Sequence, residues 1–208
     1  MTRNSLFASL LSLLFSRPAR PAPVIAPPET AAPRTAPAAL PAIAWGAMVP
    51  EPFRRKTLAI AQRLEMNPDH LMAIMAFETG RSFDPATTNR AGSGATGLIQ
   101  FMPATARALG TSTAELAGMS ALEQLDYVEA YLAPYRGRIG DLASAYMAVL
   151  YPRAVDAPPD HVLFRKGSRA YKLNRGLDRR ATGQITKADA TARVAAMLEE
   201  GLAPGRVA

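Results

Sequence analysis

From Glu51 onward, apolar residues recur at intervals of three and four, and that spacing predicts a succession of helices. Phe53, Leu58, Ala61 and Leu64 mark one face of a first helix. Asn67-Pro68 then reads as an N-cap followed by proline at the first helical position. The second helix, over 68–79, is stopped by Gly80, a residue able to take the left-handed cap conformation. Further helical patterns follow over 103–109, 120–135, 142–149 and 187–202, and no sustained period-two alternation interrupts them. The expected fold class is therefore mostly α, with irregular loops between helices.

Upstream of Glu51 the pattern changes. Leu6, Phe7, Leu10, Leu11, Leu13, Leu14 and Phe15 form an apolar stretch behind Arg3. It is shorter than the roughly 20 residues a spanning helix needs and resembles the apolar part of an export signal or an anchor that lies on a membrane. Residues 17–50 are rich in proline and alanine, which predicts a disordered, semi-rigid tether. The expected organisation is an apolar segment over 1–16, a linker over 17–50, a catalytic domain over 51–155 and a helical C-terminal extension over 156–208.

Composition narrows the chemistry. The 208 residues include no cysteine, which excludes disulfides, zinc–thiolate sites and cysteine nucleophiles. The formal net charge is +7, so the surface attracts anions. The basic residues come mostly in scattered ones and twos, such as Arg179-Arg180, with no run longer than Arg54-Arg55-Lys56, and nucleic-acid binding is not expected.

Glu78 is the carboxyl that stands out. It shares a helix face with Leu71, Ile74 and Met75, and Met72, Ala73, Ala76 and Phe77 leave little of that helix polar. Desolvation disfavours a carboxylate, and so does the negative end of a helix. A carboxyl kept protonated near neutrality is what general acid catalysis at a glycosidic oxygen requires. The plainer alternative is a Glu fraying into solvent at a helix end.

The residues downstream of Glu78 favour the chemistry. Glu78-Thr79 leads to Phe83-Asp84-Pro85, then to glycines 92, 94 and 97, then to Gly97-Leu98-Ile99-Gln100-Phe101-Met102-Pro103-Ala104-Thr105-Ala106. These two motifs, in this order, resemble the soluble lytic transglycosylase (SLT) family of the goose-type lysozyme-like superfamily. A third family motif, Ala-Tyr-Asn-Ala-Gly, has a partial counterpart at Ala145-Tyr146-Met147-Ala148-Val149, where Met147 and Val149 depart from the pattern.

The resemblance implies a lysozyme-like helical domain that acts on peptidoglycan glycan strands. Glu78 would be the single acid/base, and the bond between N-acetylmuramic acid and N-acetylglucosamine would be cut with closure of a 1,6-anhydro ring. Substrate contacts are implied for Gln100, Gly97 and Met102. The resemblance places Tyr146 close to the glutamate, and a buried structural tyrosine is the other reading. For the hydroxyl that positions an N-acetyl group, Ser93 and Thr96 are both candidates. A hydrolytic lysozyme would want a second carboxylate roughly 6.5–9.5 Å away, for which Asp84 and Asp141 are the candidates. The rival from another class is a non-catalytic wall-binding or phage-tail component. The substrate implies the periplasm or cell envelope, or a phage or prophage origin, with peripheral membrane contact through residues 1–16 and a monomeric state.

Residues 178–189 place acid, glycine, isoleucine and acid where a calcium-binding EF-hand loop has them, but Arg180 and Thr182 occupy ligand positions. A guanidinium there repels a cation. A structural turn is expected, with neither metal nor cofactor.

Overall fold

A computed structural model describes residues 39–89 and 92–208, and Ala39–Ala208 forms one compact unit. The apolar segment 1–16, and the linker as far as residue 38, lie outside the described residues. Among the described residues the α-helices are α1 (Glu51–Leu64), α2 (Pro68–Glu78), α3 (Pro103–Ala108), α4 (Thr113–Gly118), α5 (Ala121–Leu132), α6 (Leu142–Leu150), α7 (Arg169–Asn174) and α8 (Lys187–Gly201). Two short strands, β1 (Val162–Arg165) and β2 (Gln184–Thr186), pair antiparallel. The protein is mostly helical, and among the described residues no helix is long and apolar enough to cross a membrane.

α2 is the axis of the fold. Leu71, Met72, Ala73, Ile74, Met75 and Ala76 are all buried, so the helix is apolar all round, as a helix enclosed by others must be. α1, α6 and α8 pack around it. Its start is set as the sequence predicts, with the Asn67 side chain accepting from the Asp69 N–H and proline at the first position. At its end Gly80 turns left-handed (φ 61°), and the Arg81 N–H reaches back to the Ala76 carbonyl.

The helices predicted over 68–79, 103–109, 142–149 and 187–202 form close to those bounds. The helix expected over 120–135 stops at Leu132 and tightens into a 3₁₀ turn over 133–135, where Pro134 lacks the N–H to continue it. α4 and α7 are one-and-a-half-turn helices too short to show a period, and so are the two strands. The 178–189 segment is a turn feeding β2. The Asp178 carboxylate accepts from the Thr182 and Gly183 N–H groups and from the Tyr171 hydroxyl. Asp189 closes a capping box with Thr186 and pairs with Arg180 at 3.0 Å.

The folded body begins earlier than the proline content suggests. Ile43, Ala44 and Trp45 are buried. The Trp45 indole donates to the Met197 carbonyl (3.0 Å), and the Trp45 N–H donates to the Gly201 carbonyl. Ile43 and Ala208 exchange backbone hydrogen bonds in both directions. α8 is thereby clasped onto α2 and the body of the molecule.

Candidate active site

Glu78 is the last residue of α2, and its position follows from how that helix ends. The Thr79 hydroxyl donates to the Met75 carbonyl (2.7 Å) and accepts from the Phe83 N–H (3.1 Å). Phe83, left-handed at φ 51°, is buried with its ring against Phe53 and Trp45. The Glu78-Thr79…Phe83 motif is thus a lock on the helix terminus. It holds the glutamate where the chain leaves the core.

The glycine-rich loop closes one side. The Gly97 N–H donates to the Thr87 carbonyl, and Thr96 and Phe101 exchange two backbone bonds. Gln124, fully buried on α5, ties two points of the loop to α4: its amide oxygen accepts from the Leu98 N–H (2.6 Å), and its amide nitrogen donates to the carbonyls of Pro85 in the loop and Leu116 in α4. Gly97 sits at φ 88°, and a Cβ there would overlap the Gln124 side chain. Glycine is required at that point by contact as well as by conformation.

Between this loop and α7 lies a cavity of about 360 Å³, within the range of ligand pockets. Glu78, Ser93, Gln100 and Met102 line it together, with Ile99, Val149 and Leu150 as its apolar wall. Gln100 is itself left-handed (φ 53°), and its amide nitrogen donates to the Thr87 and Gly97 carbonyls. Both amide hydrogens brace the loop, which leaves the amide oxygen to accept from a ligand.

Three of the sequence candidates stand behind the cavity rather than on it. Thr96 is buried, and its hydroxyl donates to the Gly94 carbonyl. Gly97 serves the packing against Gln124. Tyr146, on α6, is buried with its ring edge-on to Phe77 at 5.7 Å. Its hydroxyl is held well above the usual range by burial and by the Glu78 carboxyl.

The electrostatics of Glu78 are simple. Burial pushes its carboxyl from 4.5 up to about 8, and no other influence on it is resolved. Among the described residues it has no hydrogen-bond or ion-pair partner. Among the described residues no second carboxyl lines the cavity. Asp84 accepts from the Ala86 N–H, and Asp141 caps α6 through the Ser144 N–H. The cavity therefore presents one neutral acid in an apolar wall, able to give up a proton and take one back.

The third wall was not visible in the sequence. Arg169, Leu173 and Asn174 of α7 line the cavity as well. The available signal was Ser168, whose side chain caps α7 by accepting from the Tyr171 N–H, but a six-residue helix offers no periodicity to lead from that cap to a wall. No group of His, Cys, Asp and Glu able to hold a metal occurs among the described residues.

Residues 57–148 match the family model described as the transglycosylase SLT domain. No curated protein and no solved structure was found to match the chain.

Proposed function

We propose, from the match of residues 57–148 to the transglycosylase SLT domain model, that this protein acts on peptidoglycan as a lytic transglycosylase, with Glu78 as its catalytic acid and base. The observation that carries the reading is a carboxyl whose ionisation burial pushes up to about 8, on a cavity that no second carboxylate lines among the described residues.

Two proton transfers suffice. In the first, the Glu78 proton passes to the glycosidic oxygen as the bond to the muramoyl anomeric carbon breaks, and the N-acetylglucosamine leaves with its hydroxyl restored. Positive charge develops on the muramoyl ring and is shared by its own acetamido group. In the second, the Glu78 carboxylate removes the proton of the muramoyl 6-hydroxyl while that oxygen bonds to the anomeric carbon. The anhydro ring closes, the acid is regenerated and no water is consumed. An inverting hydrolase instead needs a second carboxylate to activate water.

The apolar wall keeps the acid neutral before the first transfer and makes its carboxylate a strong base for the second. The Gln100 amide oxygen accepts from the hydroxyl and amide donors of the sugars. Ser93 is the hydroxyl on the cavity, so it rather than Thr96 is the candidate to position the N-acetyl group. The polymer lies outside the cytoplasm, which puts the site of action in the periplasm or elsewhere in the cell envelope.

Digestion of purified sacculi followed by mass spectrometry tests the reaction. Products one water lighter than hydrolysis products, with anhydro-muramoyl ends, are expected. Reducing ends throughout would replace the transglycosylase by a lysozyme. Glu78→Gln should lower turnover by roughly 10²–10⁴-fold, the contribution of a positioned acid/base, and lysis at the wild-type rate would remove Glu78 from the mechanism.

A further inference from the structure

The family match ends at residue 148, yet the cavity does not. Its far wall is α7, which is built to be rigid. Ser168 caps its start, the Tyr171 hydroxyl is anchored on the Asp178 carboxylate at 2.7 Å, and the Asn174 amide donates back to the Ala170 carbonyl. We propose that Arg169 on this wall receives a carboxylate carried by the muramyl residue of the strand, so that the cleft selects acidic murein over neutral amino-sugar polymers. The proposal rests on the reading of the cavity as a glycan cleft.

Arg169 is exposed, lines the same cavity as Glu78 and has no ion-pair or hydrogen-bond partner among the described residues. Other arginines are engaged: Arg81 with Glu200, Arg136 with Glu65, and Arg138 with Asp156. Nor does Arg169 neutralise the reacting group, since burial alone accounts for the shifted ionisation of Glu78. Its charge therefore stands at the rim of the cleft, apart from the proton-transfer centre.

The surroundings strengthen that field. Arg165, Lys166, Lys172 and Arg175 flank Arg169, all exposed and in no ion pair, while the one acid of the stretch, Asp178, is occupied by Tyr171 and by its own turn. Beside the charge, Leu173 and Met102 keep 65% and 47% of their surface exposed on the cavity, although both are apolar. Apolar lips suit the carbon faces of sugar rings.

Muramic acid differs from glucosamine by a lactyl ether that ends in a carboxyl. That carboxyl is free on stripped strands and is amide-linked to an acidic peptide stem on intact ones. A guanidinium offers either source a forked, charge-assisted pair.

Calorimetric binding to Glu78→Gln protein, which removes the proposed acid, tests this against Arg169→Ala in the same background. Three probes serve: peptide-bearing strands, amidase-stripped strands, and stripped strands whose carboxyls are converted to methylamides. Affinity for carboxylate-bearing strands should fall about three- to tenfold on removing Arg169, by up to about 1.4 kcal/mol. With the methylamide strands the Arg169-containing protein should drop to the level of the variant. A loss confined to peptide-bearing strands assigns the stem carboxylates, and a loss on stripped strands as well assigns the lactyl group. Equal affinity with and without Arg169, a loss that persists on methylamide strands, or binding to no strand at all would overturn the proposal. The transglycosylase reading fails separately, by the absence of anhydro ends in wild-type digests.

Discussion

A carboxyl with no donor to hold its charge, set among Ile99, Val149 and Leu150, has the protonated form as its low-energy state near neutrality. Glu78 should therefore show two pH dependences. The acid must be protonated to act, so kcat/KM on soluble glycan strands should fall as pH rises through about 8, and a falling limb centred near 4.5 would show the group to be solvated. Stability carries the second. Below pH 4.5 the carboxyl is protonated in both the folded and unfolded chain. Between 4.5 and about 8 only the unfolded chain ionises, so the folded state loses stability as pH climbs across that window. Glu78→Gln removes the loss. Denaturant midpoints should show the variant gaining on the wild type from pH 5 to pH 8, and a constant difference between them would contradict the buried ionisation. Lys187, also buried, has the partners that Glu78 lacks. Its Nζ donates to the carbonyls of Val155 (2.7 Å) and Ala157 (2.9 Å), a tie between α8 and the chain after α6.

At the scale of elements, the helices do not make the cavity by themselves. The loop between α2 and α3 supplies Ser93, Gln100 and Met102, and α5 holds that loop through Gln124. Gln124→Leu keeps the volume and strands the Leu98 N–H and the Pro85 carbonyl, while the Leu116 carbonyl still accepts from the Met119 N–H. Each unsatisfied buried group costs about 1–3 kcal/mol, so stability should fall by at least about 2 kcal/mol in urea unfolding, and sacculus cleavage should fall with it as the loop loosens. A variant as stable as the wild type would mean that water satisfies the loop without Gln124. By contrast, the exposed ion pairs between α1 and α5, Arg63–Glu129 and Lys56–Asp126, add little in high dielectric.

Across the whole molecule, the clasp between residues 43–48 and the end of α8 decides whether the C-terminal segment stays docked. The Trp45 ring meets Gly201, where any Cβ would overlap it, and the Arg206 guanidinium lies 4.7 Å from the ring centre. Trp45→Ala removes a fully buried ring and its hydrogen bond to Met197. A loss of about 3–5 kcal/mol is expected from the cavity left behind, read as a lowered urea midpoint. Less than 1 kcal/mol would show that the clasp is peripheral to α8 docking.

Residue order by itself determined the helical class, the termini of α2, the solitary acid and the turn at 178–189. Each of these is written within one or two turns of chain: a cap, a proline, a run of apolar positions, a glycine. Tertiary structure decided the rest. It seated Ser93 and Met102 with Glu78 and turned Thr96 and Gly97 toward the interior. It also spent the amide hydrogens of Gln100 on the loop, brought Arg169 to the far wall, and drew Ile43, Ala44 and Trp45 out of a proline-rich stretch into the core. The physical reason is separation along the chain. Periodicity reports which face of a segment is apolar, whereas Gln124 on Leu98, Trp45 on Gly201 and Arg169 across from Glu78 are pairings of distant segments, made only when the core closes.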